Sequence, residues 1–370
     1  MNQQHKRLIP PEVAVAFPLP ETWVDTARCG SGHINETFCL TCCAQGVKPV
    51  RFILQGLSPA AFAHPEQLME NFVRITAHLR RKIEADGGDP MRETLNLVPT
   101  CSGAPYYIGA DGRVWRLLHY VENTVCFDHA TPQLFEESAR AFGRFQWLLR
   151  DFPAHTLHET IPEFHNTEAR YEQFAAALKA DAMGRAAEVQ PEVQFVLARK
   201  ADCSVAMDAL RQGRLPLRVT HNDTKLNNVL FDRDSRKALC VIDLDTTMPG
   251  LSIWDFGDSI HFGANHSDED EQDLAKVSFD LELYRRYTHG FLQGAQGSLT
   301  KAEREYLPWG ARLMTLECGM RFLTDYLQGD RYFHTQYSKQ NLYRCRTQFK
   351  LVADMEECWQ QMNEIANSFD

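Results

Sequence analysis

The stretch "THNDTKLNNVLFDRDSRKALCVIDLD" (residues 220–245) decides the fold of this chain. It contains two short apolar runs, "VLF" and "ALCVI", on either side of a polar turn at residues 232–235. Apolar runs of this length around a turn rich in Asp and Ser predict a β-hairpin. Because a hairpin brings its two ends together, we expect Asp223 and Asn228 to lie beside Asp243.

The return strand of this hairpin carries two aspartates, Asp243 and Asp245. Alternate side chains of a strand share a face, so both carboxylates are expected to project the same way. Neighbouring carboxylates raise each other's pKa unless a cation lies beside them, and Mg²⁺ takes oxygen ligands of this kind. The pattern predicts a metal site with Asp243 as a ligand, and with Asp245 either as a second ligand or as a residue that fixes the loop.

The first half of the stretch has the loop pattern HxDxxxxN, formed by His221, Asp223 and Asn228. In phosphoryl transfer the Asp of such a loop orients the attacking hydroxyl, the Asn binds Mg²⁺, and a later Asp completes the metal site. Lys225, two residues after Asp223, is placed to aim an ammonium at the transferring phosphate. These residues favour ATP-dependent phosphoryl transfer with Mg²⁺.

The bulk composition bounds this interpretation. With 370 residues, of which 44% are hydrophobic and 24% charged, the chain suits a soluble protein of two unequal lobes. A formal net charge of −10 argues against a nucleic-acid partner, whose phosphates attract Lys and Arg. No apolar run is long enough to cross a membrane, and the N-terminus lacks the apolar core of a signal peptide. Eleven scattered cysteines fit a reducing compartment, so a cytoplasmic enzyme is expected.

The order of predicted elements indicates an α+β protein. Alternating patterns predict an antiparallel ribbon over residues 23–57, and apolar residues at helical spacing predict a helix over 65–85 that covers a sheet. A helix capped by Thr131 opens a second, mainly helical part. We expect a β-rich nucleotide-binding lobe over residues 1–117 and a catalytic, acceptor-binding lobe over residues 118–370.

Four motifs give the chain a family resemblance. They are "GSGHINETF" (residues 30–38), "LQGLSP" (54–59), the loop at 220–232, and "VIDLDTTMPGLSIWDFGDSIHFGAN" (241–265). In these motifs the chain resembles the aminoglycoside phosphotransferase and choline kinase superfamily, and within it the bacterial N-acetylhexosamine 1-kinases. Those enzymes use ATP to phosphorylate the anomeric hydroxyl of GlcNAc or GalNAc. The resemblance implies a two-lobed, protein-kinase-like fold, ATP and Mg²⁺ as cofactors, and a small-molecule sugar as the partner.

The resemblance also implies a role for each matching residue. Asp223 is the expected catalytic base, with His221 and Lys225 beside it, and Asn228 and Asp243 are the expected Mg²⁺ ligands. The positions expected to bind the nucleotide are Gly30, Ser31, Gly32 and Asn35 in the bend over the phosphates, Gln55 on the third strand, and Tyr120 and Glu122 in the adenine hinge. The positions expected to contact the sugar are His33, Phe262, Arg321 and Tyr332.

Several alternatives stay open from the sequence. The third strand, "VRFILQGL", has no lysine where protein kinases grip the α and β phosphates, and Arg51 or Gln55 stands nearby instead. This absence leaves a nucleotide-binding pseudokinase as one alternative. Another acceptor, such as choline, homoserine or an aminoglycoside, is a second, and the sequence does not indicate the oligomeric state.

Two further carboxylate patterns receive structural interpretations. The letters "DFG" occur at residues 255–257, but Asp255 follows the hairpin at a distance and is expected to brace the catalytic loop through hydrogen bonds. Glu317 and Asp325 lie four residues from Arg321 on either side, a spacing that usually indicates surface ion pairs.

Overall fold

The computed structural model describes residues 8–20, 23–29, 35–43, 49–58 and 62–369, apart from the side chains of Trp23 and Val24. The strands are β1 (Trp23–Arg28), β2 (Glu36–Cys42), β3 (Val50–Gly56), β4 (Leu97–Val98), β5 (Tyr107–Ile108), β6 (Val114–His119), β7 (Thr124–Val125), β8 (Arg218–Thr220), β9 (Val229–Asp232), β10 (Ala238–Val241) and β11 (Met248–Gly250). The helices are α1 (Pro11–Ala16), α2 (Pro65–Ala85), α3 (Pro90–Glu93), α4 (Pro132–Leu148), α5 (Thr167–Ala180), α6 (Gln190–Leu197), α7 (Val205–Arg211), α8 (Ser252–Gly263), α9 (Leu281–Ala295), α10 (Lys301–Glu305), α11 (Leu307–Gln328), α12 (Gln340–Glu357) and α13 (Trp359–Asn367).

The N-terminal part is an antiparallel sheet with a helix on each face. Its strands run in the order β1-β2-β3-β6-β4, and β5 pairs with β6. Phe38, Leu40 and Leu54 are buried on one face together with Val13 of α1. On the other face, α2 buries its apolar stripe, including Phe72, against residues of β6. The predicted ribbon and the predicted helix over 65–85 are confirmed; α1 was not predicted.

The C-terminal part is mainly helical. α4 begins after Thr131, whose side chain accepts a hydrogen bond from the backbone N–H of Leu134 (3.2 Å), which confirms the predicted cap. The long helix α11 is buried on two sides, because it packs with α4, α8 and α9 in one core and with α5, α6 and α12 in another. The protein is therefore a mixed α+β fold with a sheet-containing N-terminal region and a helical C-terminal region. The predicted division at residue 117 falls within β6, and the division into lobes stays a prediction.

Short strands between these regions carry the candidate site. β9 and β10 form the predicted hairpin, with Val229 opposite Val241, and β8 pairs with β11. The prediction that Asp243 and Asp245 alternate along a strand is wrong. β10 ends at Val241, Asp243 adopts a left-handed backbone conformation (φ 59°), and a short 3-10 turn follows at Leu244–Thr246. Extended pairing cannot pass through a left-handed residue, so the strand stops before Asp243.

Two further findings concern the helices and the cysteines. Among the described helices, none is long and apolar enough to span a bilayer. All eleven cysteines are free thiols.

Candidate active site

A buried carboxylate on α8 positions the loop that carries Asp223. Oδ2 of Asp255 accepts hydrogen bonds from the backbone N–H of His221 (3.0 Å) and from Nε2 of Gln146 (2.6 Å), and its Oδ1 accepts from the backbone N–H of Asn222 (2.8 Å). These bonds fix the 220–221 and 221–222 peptides, which lead into Asp223. The prediction that Asp255 braces this loop is confirmed.

A second carboxylate of α8 fixes the residue after Asp223. Oδ2 of Asp258 accepts hydrogen bonds from the backbone N–H (2.6 Å) and the hydroxyl (3.2 Å) of Thr224. Burial alone would raise the pKa of Asp258, but its hydrogen bond with His261 and the positive charges around it, including that of Lys225, outweigh burial and lower the pKa. Asp258 is therefore an ionised anchor for the loop.

Asp223 is partly exposed, and each of its carboxylate oxygens has a partner. Nδ2 of Asn228 donates to Oδ2 (2.9 Å), and Nζ of Lys225 lies 2.8 Å from Oδ1. Burial would lower the pKa of Lys225, but the charge and hydrogen bond of Asp223 raise it. The loop thus presents a carboxylate and an ammonium side by side, and the ammonium also lies 5.0 Å from the ring centre of Phe262.

The other predicted catalytic residue, His221, is fully buried, and both of its ring nitrogens are in use. Nδ1 accepts from the backbone N–H of Asp223 (3.3 Å), so Nε2 carries the proton and donates to the carbonyl of Ile242 (2.8 Å). The ring packs edge-on against Phe142 and Phe145. His221 therefore ties the catalytic loop to the peptide that precedes Asp243.

Asp243 and Asn228 are neighbours across the hairpin, because the backbone N–H of Ile242 donates to the carbonyl of Asn228 (2.9 Å). Asn228 uses its Nδ2 to donate to Asp223, which leaves its Oδ1 as a possible ligand. The Asp243 carboxylate is open to solvent, although protein surrounds it on most sides. This crowding, together with the carboxylates of Asp245 and Asp223, raises the pKa of Asp243 to about 6.

These two oxygen donors fit a hard divalent cation. No hydrogen-bond donor within the described ranges contacts the Asp243 carboxylate, whereas the Asp223 carboxylate is paired with Lys225. The negative charge of Asp243 is therefore available to a cation. The described residues contain no group of three or more His, Cys, Asp or Glu side chains arranged to hold a metal. The predicted magnesium roles of Asn228 and Asp243 stay predictions.

Asp245 lies in a different environment. Its Oδ1 is 2.6 Å from Nη1 of Arg116, and its Oδ2 accepts from Nδ2 of Asn35 (2.6 Å). Arg116 lies on β6 opposite Gln55 of β3, and its Nε donates to Oε1 of Gln55 (2.9 Å). Sequence reasoning missed Arg116, because the letters "VWRLL" look like any partly buried strand.

The predicted nucleotide-binding positions fall in three places. Gly30, Ser31, Gly32 and His33, a predicted sugar contact, lie outside the described residues. Asn35 also accepts at Oδ1 from the backbone N–H of Ser58 (3.1 Å). At the predicted hinge, Nε of Arg51 donates to Glu122 (3.1 Å), and its guanidinium lies 4.0 Å from the ring centre of Tyr120.

The predicted sugar contacts Phe262, Arg321 and Tyr332 all belong to the helical C-terminal region and come after the Asp223 loop in the chain. The rings of Phe262 and Tyr332 are 42% and 72% exposed, so their faces are open to a ligand. The guanidinium of Arg321 lies 5.7 Å from the ring centre of Tyr332 and 5.3 Å from that of Phe333. Burial and the charge of Arg321 lower the pKa of Arg170 on α5.

The expectation of surface ion pairs around Arg321 is wrong. Asp325 is buried, and its carboxylate accepts from the backbone N–H groups of Arg331, Tyr332 and Phe333 (2.8–3.0 Å). It therefore shapes the loop that carries Tyr332. Glu317, Arg321 and Asp325 do lie on one helix, as their spacing predicts. The sequence does not show that the residues after α11 cover this face of the helix.

Glu317 is also buried, and it belongs to a group that sequence reasoning missed. Its carboxylate contacts Nδ1 of His165 (3.2 Å) and accepts from the hydroxyl of Thr167 (3.0 Å). Nε2 of His165 donates to the carbonyl of Asn222 (3.1 Å). Burial would lower the pKa of His165, but its hydrogen bond with Glu317 and the charge of Glu317 raise it. The ring of His165 therefore clamps the peptide preceding Asp223.

Comparison with known proteins gives a family match. A profile of the family described as "Phosphotransferase enzyme family" matches residues 25–289, which is most of the chain.

Solved structures share the fold at low sequence identity. An aminoglycoside phosphotransferase from Alicyclobacillus acidocaldarius is 14% identical, with 96% of each chain covered and a TM-score of 0.61. A choline kinase from Cryptosporidium parvum is 12% identical, with 97% of this chain and 99% of that chain covered and a TM-score of 0.59. Amicoumacin kinase, solved with AMP-PNP and Ca²⁺, is 13% identical, with 99% and 96% covered and a TM-score of 0.56. These likenesses establish the protein-kinase-like fold.

Proposed function

This chain belongs to the phosphotransferase enzyme family, and from that premise we propose that it is an ATP-dependent kinase that phosphorylates the anomeric hydroxyl of an N-acetylhexosamine, GlcNAc or GalNAc, to give the 1-phosphate. The observation that carries the proposal is the convergence of Asp223, Asn228 and Asp243 at the ends of one hairpin, with Lys225 against Asp223. This is the set that phosphoryl transfer needs: a carboxylate for the acceptor hydroxyl, oxygen ligands for a cation, and a positive charge.

In the proposed reaction, Asp223 accepts a hydrogen bond from the attacking hydroxyl and orients it towards the γ-phosphorus. Lys225 stabilises negative charge that spreads over the γ-phosphoryl oxygens, and its pairing with Asp223 keeps it at that point. Asn228 and Asp243 would hold a divalent cation such as Mg²⁺, which supplies charge neutralisation between the phosphates when it is bound. The buried supports of the loop matter because this catalysis is mainly positioning.

The nucleotide is the part of the proposal with the broadest support. Amicoumacin kinase, which shares the fold, was solved with an ATP analogue and a divalent cation. In this chain Tyr120 and Glu122 lie just after the last residue of β6, where Arg51 contacts both side chains. We propose this segment as the adenine hinge and the bend before Asn35 as the cover of the phosphates.

The charges around the acceptor side support a neutral, hydroxylated acceptor. Lys225, Arg170 and Arg321 are cationic, while the carboxylates of Asp258 and Glu317 are matched by His261 and His165. A quaternary ammonium acceptor is recognised by aromatic rings and unmatched negative charge. An arginine against an open tyrosine ring instead offers donors and an apolar face, which suit the hydroxyls and ring surface of a sugar.

A second candidate has an amino alcohol as the acceptor. It is favoured by the printed names of the fold relatives, which include a choline kinase and an aminoglycoside phosphotransferase, and by the exposed ring of Tyr332, which could face a cation. A pseudokinase is disfavoured, since Asp223, Asn228 and Asp243 are all present and adjacent.

The test is ATP consumption with GlcNAc, GalNAc, choline, ethanolamine, homoserine and an aminoglycoside, with the product's phosphate position read by NMR. Asp223→Asn is the matched control. We expect turnover with an N-acetylhexosamine, a phosphate on the anomeric carbon, and loss of reducing-end reactivity. Turnover with only the amines would replace the sugar by the second candidate, and no turnover with any acceptor would favour the pseudokinase.

A further inference from the structure

We propose that Arg116 and Asp245 are positioning residues: their buried ion pair connects the N-terminal sheet to the turn that presents Asp243, and Asp245 is not itself a metal ligand. The inference rests on the proposed function in one respect, because it concerns the cation and nucleotide of that same site. It also assigns a role to the buried cation that lies beside Gln55 of β3, the strand on which protein kinases place a lysine.

Among the described residues, Arg116 is the largest side chain that is completely buried, and a buried guanidinium requires a matching charge. Asp245, itself only 4% exposed, is the carboxylate that contacts Arg116 among the described residues. The other contacts of the guanidinium are with Gln55 of β3, with the sulfur of Met69 of α2 (4.0 Å), and with the ring of Phe72 of α2, whose centre is 4.3 Å away. Arg116 is thus fixed to the strand and helix of the N-terminal part and cannot reach a phosphate from this position.

Both oxygens of Asp245 contact a side chain of the N-terminal part, Oδ2 through a hydrogen bond and Oδ1 through an ion-pair contact that is not a hydrogen bond. Arg116 contacts Oδ1, and Asn35 donates to Oδ2 while its own Oδ1 accepts from the backbone N–H of Ser58. Asp243, two residues earlier, has the opposite situation, since no hydrogen-bond donor in the described part of the chain meets its carboxylate. The two aspartates therefore have different roles: Asp245 contacts protein side chains, whereas Asp243 is available to a ligand.

The backbone makes the position of Asp245 matter for Asp243. Asp243 is left-handed (φ 59°), a conformation that residues with a Cβ rarely adopt without support. The short turn at Leu244–Thr246 follows directly. Fixing the side chain of Asp245 in the middle of that turn holds the preceding residue in its unusual conformation. Because Asn35 belongs to the bend predicted to cover the phosphates, one carboxylate contacts Asn35, the sheet and, through the backbone, the turn that follows Asp243.

The strand that lacks this lysine lies beside the pair. Protein kinases place a lysine on the third strand, whereas this chain has Gln55 at the position opposite Arg116. Gln55 accepts from Arg116 instead of carrying a charge. Arg116 is a buried cation that contacts Asp245, so its role is to position Asp245 and not to replace the phosphate contact of that lysine.

The experiment measures AMP-PNP binding by calorimetry as a function of Mg²⁺ concentration, without any acceptor. The variants are Arg116→Met, Asp245→Asn, the double variant, and Asp243→Asn as the ligand control. Partners that support a metal ligand typically cost about 10- to 100-fold in metal affinity when removed. We expect each single variant to lose Mg²⁺-dependent affinity by about this factor, and the double variant to lose no more than either single variant.

One result would make Asp245 a direct ligand and the proposal wrong. In that result the Mg²⁺-dependent affinity of Arg116→Met stays within about threefold of that of the unchanged protein, while Asp245→Asn weakens Mg²⁺ binding as much as Asp243→Asn does. The proposal would also be wrong if the loss of affinity in the double variant equals the product of the losses in the two single variants.

The melting temperature of each variant gives a second, independent measurement. Arg116→Met leaves a buried carboxylate unmatched, so the double variant is expected to melt above Arg116→Met, or to fold where that single variant does not. A double variant less stable than both single variants would contradict the pair. If the unchanged protein shows no Mg²⁺-dependent AMP-PNP binding, the proposed function fails, and the melting temperatures still decide the ion pair.

Discussion

Replacing Asp243 by Asn is expected to abolish phosphoryl transfer and, at the same time, to stabilise the metal-free protein. Without a cation, burial and the carboxylates of Asp245 and Asp223 raise the pKa of Asp243 from 3.8 to about 6. An ionised Asp243 is therefore unfavourable in the folded state at neutral pH. Asn keeps the shape of the side chain and removes the charge, so it removes both the metal ligand and the repulsion.

The size of the effect follows from the pKa. A rise from 3.8 to about 6 corresponds to roughly 3 kcal/mol of unfavourable charge at about 1.4 kcal/mol per pH unit. Solvent reaches the Asp243 carboxylate and screens these interactions, so we expect a gain in unfolding free energy of about 1 kcal/mol. For a chain of this size that corresponds to a rise in melting temperature of about 1–3 °C.

The gain depends on pH in a defined direction. Between about pH 4 and pH 6 the folded protein binds the Asp243 proton more tightly than the unfolded chain does, so the penalty of ionisation grows across this window and is complete above it. Asp243→Asn should therefore stabilise most above about pH 6.5 and progressively less towards pH 4.

Two measurements test this prediction. Thermal unfolding in EDTA from pH 4.5 to 8 tests the gain in stability, and ATP turnover with Mg²⁺ tests the loss of activity. Asp268→Asn is the matched control, because Asp268 is exposed and its side chain makes no hydrogen bond or ion pair within the described ranges. We expect a loss of turnover of at least about a thousandfold for Asp243→Asn and no change for Asp268→Asn. Destabilisation of the metal-free protein by Asp243→Asn at pH 7.5 would refute the reasoning.

Three further predictions concern the loop. Asp223→Asn should lower kcat by about two to four orders of magnitude while AMP-PNP still binds in calorimetry, and normal turnover would exclude Asp223 as the base. Lys225→Ala should lower kcat or raise the KM for ATP by about tenfold or more in steady-state assays, and unchanged values of both would remove its role. Asp255→Ala leaves three buried donors without an acceptor, so urea unfolding should show a loss of about 2–4 kcal/mol, and a loss below about 0.5 kcal/mol would contradict the bracing role.

Local patterns predicted much of the fold and the centre of the site. The hairpin was predictable because two apolar runs flank a turn rich in Asp and Ser, and α2 because its apolar residues recur at helical spacing. The bracing role of Asp255 was predictable because Asp243 already occupied the position predicted for the metal ligand. For the hairpin and for α2, the signal lies within the residues of the feature that it predicts.

The errors and omissions depend on residues far apart in the chain. Arg116 and Asp245 are separated by more than a hundred residues, and nothing near either one indicates the other. The left-handed conformation of Asp243 breaks the strand alternation that the letters suggest, and the turn that follows is bonded to a loop 25 residues earlier, through Thr246 and the backbone carbonyl of His221. Glu317 appeared to be a surface charge, since the sequence does not show that His165 covers it.

The most direct test of the account is a crystal structure with Mn²⁺ and AMP-PNP, in which anomalous scattering locates the metal. The account predicts a peak within about 2.5 Å of Oδ1 of Asn228 and of the Asp243 carboxylate, with Asp223 beside the γ-phosphate and Asp245 still bound to Arg116. A metal held by Asp245, or located away from Asn228 and Asp243, would contradict it.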